Sequence, residues 1–448
     1  MTTPFSDRTE RCLGAIERRN RSLNALITVT PDQARATAAG LDAQIAAGDR
    51  LGAAAGLVIS IKDNIDTAGL RTTSGSAFFS DRVPDEDAEV VRRVAQAGTV
   101  LIGKANLHEF AFGGTSQNPH HGPCRNPWDA EAIPGGSSGG SAASVAASMC
   151  EVSLGTDTGG SVRIPAALNG VVGLRPTVGR ISNRGSTPVS PRFDTIGPLG
   201  RTVAEVAAIY EVIAGYDPLD EMSVDTPVES WTTLTCGLRG FRIGLPTSFF
   251  FDGLHAEVDQ LVRAAARTLE SLGAKIIPVD TQEAEETHAR MISIVLSDVA
   301  AFHRKRLETR PDMFGADVHD RMMLGFRTSG MDYAQGMRQQ ERWGRQVRGI
   351  FEEVDMVLTP TVGFPAPKAV ETKEMIATTR ELTRLTFVWS YAELPALSVP
   401  CGFTRAGLPV GMQLVGRKWS EARLLAIGAA YQQVTDYHHR RPPGVDQR

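Results

Sequence analysis

Apolar positions recur three to four residues apart over the first fifty residues, at Leu13, Ile16, Leu23 and Leu26 and on through QARATAAGLDAQIAAG, a spacing that predicts helix. The stretch AGLVISIKDNID breaks that rhythm. Its apolar run is short, continuous and closed by polar residues, which predicts a buried strand with Lys62, Asp63 and Asn64 at its C-terminal end. DAEVVRRVAQAG then reads as helix and TVLIGKAN as strand, so an alternation of strand, helix and strand begins and predicts a mainly parallel sheet. SAASVAASM continues it as a helix of small residues, EVSLGTD as a strand and SVRIPAALNG as a short helix.

Between about residues 230 and 390 the texture changes. HAEVDQLVRAAARTLESLG, EAEETHARMISIVLSDVAAFHRK and MDYAQGMRQQERWGRQVRGIFEEV are amphipathic helices, with FRIGLP and AKIIPV as strands between them. DMVLTPTV, ALSVPCGF and LPVGMQLVG return to strand and are expected to rejoin the first sheet, with SEARLLAIGAAYQQVTD as a closing helix. No Pro/Ser linker, repeat or low-complexity tract divides the chain, so one domain over 1–448 with a helical elaboration is expected.

Composition narrows the class. Forty-four of 448 residues are glycine, about 10% against a usual value near 7%, which signals tight turns and close backbone approaches. The net charge of −4 comes from interspersed charges with no basic stripe, an argument against direct nucleic-acid binding. Five scattered cysteines, Cys12, Cys124, Cys150, Cys236 and Cys401, form no C-x-x-C pair, so neither a disulfide framework nor a zinc site is expected and a reducing cytoplasm fits. The first twenty residues lack an apolar signal region, and no window reaches the ~18 apolar residues of a membrane span.

Two glycine runs, IPGGSSGGSAAS and GTDTGGSVRIP, hold the candidate chemistry. Neither reads as a linker, because apolar segments flank the second on both sides. GTVLIGK fits the spacing of a phosphate loop, but Ala105 follows where Ser or Thr must bind magnesium, and Val100, Leu101 and Ile102 make it a strand. Gly135 to Gly139 fits G-x-S-x-G with Ser137 central, yet a loop precedes it where a nucleophile elbow needs a strand. In the second run a strand leads into TDTGG, and Ser161 falls where a helix starts. Backbone N–H groups of Thr158, Gly159, Gly160 and Ser161 are then able to converge as an oxyanion hole. A serine hydroxyl also needs a base to become nucleophilic. His108, His120 and His121 sit in polar loop segments and suggest surface or supporting roles. Lys62 has two readings of equal weight: a buried base whose pKa falls from its usual value of about 10.4, or a structural ion-pair partner of Asp63 or another carboxylate.

The stretch GGSSGGSAASVAASMCEVSLGTDTGGSVRIPA closely resembles the signature of the amidase signature family, and ISIKDN matches that family's lysine motif. NPWD, VVGLRPTVGRIS, DTIGPLGRTV, ELPALSVPCGF and LPVGMQLVG extend the likeness over most of the chain. The resemblance implies an α/β fold with a central mixed, twisted sheet flanked by helices on both faces. It implies a Ser-Ser-Lys triad: Ser161 as nucleophile, Ser137 as a bridging serine after a cis peptide bond, and Lys62 as base. Ser138 is then a hydrogen-bonding support, Asp157 and Arg163 brace the loop, and neither metal nor cofactor is needed.

For the substrate, Phe110, Phe112, Gly113 and Thr115 match a loop that lines the acyl site in relatives, Arg321 matches a carboxylate-binding arginine, and Phe387, Trp389 and Tyr391 suggest an aromatic wall. An apolar or aromatic acyl group is the expectation. The nearest family likeness is to ammonia-supplying A subunits of tRNA-dependent amidotransferases, where an acidic residue reads the α-ammonium of glutamine. Thr383 stands at that position here. Two classes follow: a stand-alone amidohydrolase acting on small amides, hydrazides or ureido compounds, or a subunit passing ammonia to a partner. A homodimer is an open expectation for its assembly.

Overall fold

A computed structural model of the chain describes residues 5–233 and 238–445, so Cys236 lies outside the described residues. From the N-terminus, α1 (Phe5–Leu23), β1 (Leu26–Val29) and α2 (Pro31–Ala46) lead to β2 (Val58–Lys62), α3 (Glu89–Gln96) and β3 (Val100–Ala105). A two-strand ladder, β4 (Gln117–Asn118) with β5 (Gly122–Pro123), precedes α4 (Gly139–Ala146), β6 (Val152–Asp157), α5 (Arg163–Asn169), β7 (Val172–Arg175), β8 (Thr195–Gly200) and α6 (Val203–Ile213). The second half runs β9 (Arg242–Pro246), α7 (Ala256–Ser271), β10 (Lys275–Val279), α8 (Ala284–Thr309), α9 (Ala316–Gly325), α10 (Gly330–Glu353), β11 (Met356–Pro360) and α11 (Met375–Tyr391). The hairpin of β12 (Ala396–Phe403) and β13 (Pro409–Val415) and helix α12 (Glu421–Gln433) close it.

Among the described residues eleven strands form one sheet in the order β1-β3-β2-β6-β8-β7-β12-β13-β11-β9-β10, so the strands of the 230–390 region do join the first sheet. The sheet is mixed and not mainly parallel: six of its ten pairings are antiparallel. The reason lies in insertion. β6, α5 and β7 make a strand–helix–strand unit, but β8 arrives through the helix-free segment 176–194 and pairs antiparallel between them. The hairpin β12-β13 inserts likewise between β7 and β11. Local alternation along the chain carries no sign of either event. A second difference is β1, four residues within a region that reads as helix throughout, pairing antiparallel with β3.

Both faces are covered, which is why the central strands read as unbroken apolar runs. Ile59 and Ile61 of β2 face a core shared with Val90, Val94, Val206, Val262 and Leu424 from α3, α6, α7 and α12. Val58 faces the opposite way, into a core with Leu13, Leu41 and the buried small-residue helix α4. Helices α8 to α11 pack a further core against Val357, Ala396 and Val415 at the far end of the sheet. Among the described residues no helix is long and apolar enough to cross a membrane.

Candidate active site

Strands β2 and β6 lie parallel and adjacent, so their C-terminal ends, and the loops that follow, meet at one edge of the sheet. Lys62 is the last residue of β2 and is fully buried. Its Nζ lies 2.7 Å from Ser137 Oγ and 2.7 Å from Thr156 Oγ1, hydrogen-bonded to both. Burial pushes the amine well below its ordinary value, against the opposing pull of Asp157 and Asp194. Asp63 is not its partner. That carboxylate accepts from the Thr73 N–H and hydroxyl, and its nearest cation is the second buried lysine, Lys104, at 3.9 Å. Lys104, the lysine of the rejected phosphate-loop match, also donates to Ile65 O and the hydroxyls of Thr67 and Thr72.

The Gly136–Ser137 peptide bond is cis. Backing that turn, the carbonyl of Ser137 accepts from the His108 N–H at 3.1 Å, and Ser116 Oγ receives the Gly139 N–H. Ser138 knits the two glycine runs together: its hydroxyl bridges the backbone of Thr156, and its N–H donates to the carbonyl of Ser161 at 3.3 Å. Ser161 sits two residues ahead of α5, half-buried, in the turn that leaves β6.

Two glycines in that turn are dictated by close approach. A Cβ on Gly159 would fall 1.8 Å from the Phe387 ring, and one on Gly160 2.2 Å from Thr386 Oγ1, where φ is also +134°. Helix α11 therefore lies directly on the catalytic turn, pinned by the Thr386 hydroxyl donating to Gly159 O at 2.6 Å. The N–H of Gly160 donates to Asp157 Oδ1 at 2.8 Å, so of the four expected oxyanion donors this one is already engaged.

Asp157 anchors the turn. It takes a two-pronged contact from Arg163, at 3.0 Å on each oxygen, and a third from Arg175, all fully buried. Burial would raise this carboxyl, but the two guanidiniums outweigh it and hold it below the usual carboxylate range. Arg163 also reaches Ser390 Oγ, Thr386 O and Gln413 Oε1, tying the turn to α11 and β13. Asp157→Asn is expected to cost about 3–5 kcal/mol of stability, because two buried cations lose their carboxylate; a urea unfolding midpoint unchanged from the parent would refute this.

The expected substrate residues separate. Gly113 and Thr115 lie against the Ser137 turn: the Gly113 carbonyl closes on Gly136, and Thr115 Oγ1 faces His108 Nδ1 at 3.4 Å. Phe112 lies beneath Arg321, whose guanidinium sits 4.1 Å from the ring centroid and donates to Phe112 O at 2.8 Å. Burial lowers Arg321 to about 10 against the pull of Asp317, four residues earlier on α9, whose carboxylate is hydrogen-bonded to His108. Phe110, by contrast, is fully buried among Phe78, Phe79, His303 and Phe314. Trp389 and Tyr391 are also wholly internal. Trp389 stacks on Phe250, and Tyr391 donates to Gly336 O, so neither forms a wall toward the catalytic turn. That place is taken by Phe387, stacked at 5.0 Å on His288, which hydrogen-bonds Thr383 Oγ1 at 3.1 Å. One helical turn separates Thr383 from Phe387, and three and six residues separate Trp389 from Thr386 and Thr383; only the docking of α11 decides which side faces the turn.

Sequence reasoning missed Thr156, Arg175 and Asp194. Asp194 is buried, accepts from the Thr158 hydroxyl at 2.5 Å and from the N–H groups of Val189 and Ser190, and is raised by burial to about 6. Thr156 and Arg175 stand inside the motifs LGTD and VVGLRP, but strands buried on both faces give no alternation to say which side chains look into the site.

Fold and comparison together define an amide-cleaving α/β enzyme. The chain belongs to the amidase family, whose model, described as Amidase, matches residues 7–425. It is similar to the glutamyl-tRNA(Gln) amidotransferase A subunit of Synechococcus sp. (strain CC9605), 40% identical over 458 residues that cover 96% of this chain and 93% of the relative. Among solved structures it resembles a chain from a vestigial protein complex tied to the origins of an s-triazine catabolic enzyme, with TM-score 0.90, 33% identity and coverage of 96% and 95%. It also resembles the glutamyl-tRNA(Gln) amidotransferase A subunit of Thermotoga maritima, with TM-score 0.84, 32% identity and coverage of 99% and 95%.

Proposed function

We propose that this amidase hydrolyses a small carboxylic amide through an acyl-enzyme on Ser161. The observation that carries the reading is the fully buried Lys62 amine, hydrogen-bonded to two hydroxyls and, among the described residues, to no carboxylate, with Ser137 at 2.7 Å. A neutral amine there accepts the Ser137 proton as Ser137 takes that of Ser161. Ser161 Oγ bonds to the carbonyl carbon, and the N–H groups of residues 158, 159 and 161 receive the oxyanion, since that of Gly160 is engaged. The relayed proton passes to the leaving nitrogen, the C–N bond breaks, and ammonia or an amine departs. Water then adds to the ester, returns a proton along the same path and releases the carboxylic acid and free Ser161. Four buried free cysteines are compatible with a reducing, cytoplasmic setting.

Activity should rise with pH as Lys62 loses its proton, with the limb well below the ordinary lysine value because burial lowers it. Ionised Asp194 favours the protonated amine, so Asp194→Asn is expected to move this limb to lower pH. A kcat/KM profile whose limb stays put or moves upward would refute the coupling.

The substrate reading is tested with purified protein and a panel of aliphatic, aromatic, hydrazide and ureido compounds plus glutamine, measuring ammonia and amine release. Turnover of small amides by the protein alone, with glutamine poor, is expected, in keeping with Thr383 facing His288 and Phe387. A second reading is favoured by one observation, the half-buried Arg321, whose neighbouring carboxylate Asp317 is hydrogen-bonded to His108: an acyl group that carries its own carboxylate, of which glutamine supplied to an amidotransferase partner is one case. Then kcat/KM for carboxylate-bearing amides exceeds that for neutral ones, and Arg321→Met removes the difference. Absence of turnover with every compound in the panel would sink the first reading.

A further inference from the structure

At the other end of β6 and β8, roughly 20 Å from the catalytic turn at about 3.3 Å per residue, a cavity of about 660 Å³ opens between α1, the C-terminal end of α4 and the segment after α12. Six arginines line it against three glutamates, in a chain whose net charge is −4. The three carboxylates are already committed. Glu10 is held by Arg35, and Glu151 by Arg8 at 2.7 Å and the Val58 N–H. Glu205 caps α6, accepting from the N–H groups of Arg201 and Thr202. Among the described residues, Arg11, Arg18, Arg201 and Arg441 have no carboxylate within 4 Å, although all four border the cavity.

Arg201 and Arg441 each donate from one terminal nitrogen to neutral carbonyls, at Val145 and Ala146 for one and at His438 and His439 for the other. Among the described residues, neither has a carboxylate of its own at ion-pair distance. Burial and the neighbouring Arg441 push Arg201 down to about 10, against the pull of Glu205, the one carboxylate that both arginines share. Holding like charges in this way is unfavourable unless an anion completes the site.

We propose that this cavity binds a compact anion bearing at least two phosphate groups. Every cation lining it is an arginine, whose planar fork suits the paired oxygens of a phosphate better than the point charge of a lysine. Two phosphates carry enough negative charge to balance these arginines beyond what Glu205 offsets, where a carboxylate ligand would need more groups in the same space. The volume falls within the 300–1,000 Å³ typical of small-ligand sites. The site shares no residue with Lys62, Ser137 or Ser161, so it stands or falls independently of the acyl-enzyme mechanism.

The test is calorimetric titration of the full chain at low ionic strength with inorganic pyrophosphate and with adenosine triphosphate, beside sodium sulfate and poly-glutamate as comparators. Saturable 1:1 binding of pyrophosphate is expected, together with a raised thermal midpoint and equal binding by the Ser161→Ala protein. Arg201 braces α4, so its loss risks the fold. The variant of choice is therefore Arg11→Gln with Arg18→Gln, both exposed on α1; it should bind pyrophosphate at least tenfold more weakly while amide turnover is unchanged. The proposal is overturned by no phosphate binding at millimolar concentration, by undiminished affinity in the double variant, or by sulfate binding as tightly as pyrophosphate. Preference for poly-glutamate over both phosphates would overturn it too, in favour of an acidic protein partner.

Discussion

Ser161→Ala is expected to lower kcat by at least about ten-thousand-fold, because the proposed mechanism has no other group to form the acyl-enzyme. The fold should be untouched: the bond that Ser161 makes to Ser138 runs through its backbone carbonyl, and alanine keeps it. The measurement is ammonia or amine release on the best substrate of the panel, with circular dichroism and a melting curve to show that the variant is native. A variant that keeps more than a tenth of the parent rate would remove Ser161 from the mechanism. With a slow-leaving acyl group, the parent should also show a burst of first product equal to the enzyme concentration, and the variant none.

The two buried lysines provide the second large contrast. Both are fully inside, on neighbouring strands, and from sequence they look alike. Lys62→Met should cost about the same factor in rate as Ser161→Ala, with only about 1 kcal/mol of stability lost for each of the two hydrogen bonds to Ser137 and Thr156, the latter hydroxyl keeping Asn64 as a partner. Lys104→Met should do the opposite. It leaves Asp63 without its cation in a fully buried place and strips a ligand from the carbonyl of Ile65, so about 3–5 kcal/mol of stability is expected to go. The fraction that remains folded should turn over at close to the parent rate. Unfolding midpoints and active-site-normalised rates on both variants decide the matter. The assignment of the base fails if Lys62→Met is instead the destabilised and catalytically normal protein.

Much of the architecture was legible in the chain. The run VISIK names a strand buried on both faces, and a charged residue at its end invites a question about chemistry; the two glycine runs mark places where backbone must pass close to something. The resemblance supplied the pairing of Lys62, Ser137 and Ser161. Local pattern misjudged the sheet, because strand direction in β8 and β13 depends on where a returning segment inserts, and that is set by which neighbours leave a gap.

The amino-acid sequence by itself marked many of the strands and helices, though not β1, as well as the glycine-dependent turns and the side chains of the candidate chemistry, because period, chain flexibility and functional group are properties of neighbouring residues. Only the tertiary structure decided that Lys62 meets hydroxyls while Asp63 meets Lys104, that Phe387 and not Trp389 or Tyr391 covers Gly159, and that four arginines from distant parts of the chain face one cavity. Those outcomes depend on how elements dock, on burial that sets the charge of an amine, and on distances between residues that lie far apart along the backbone.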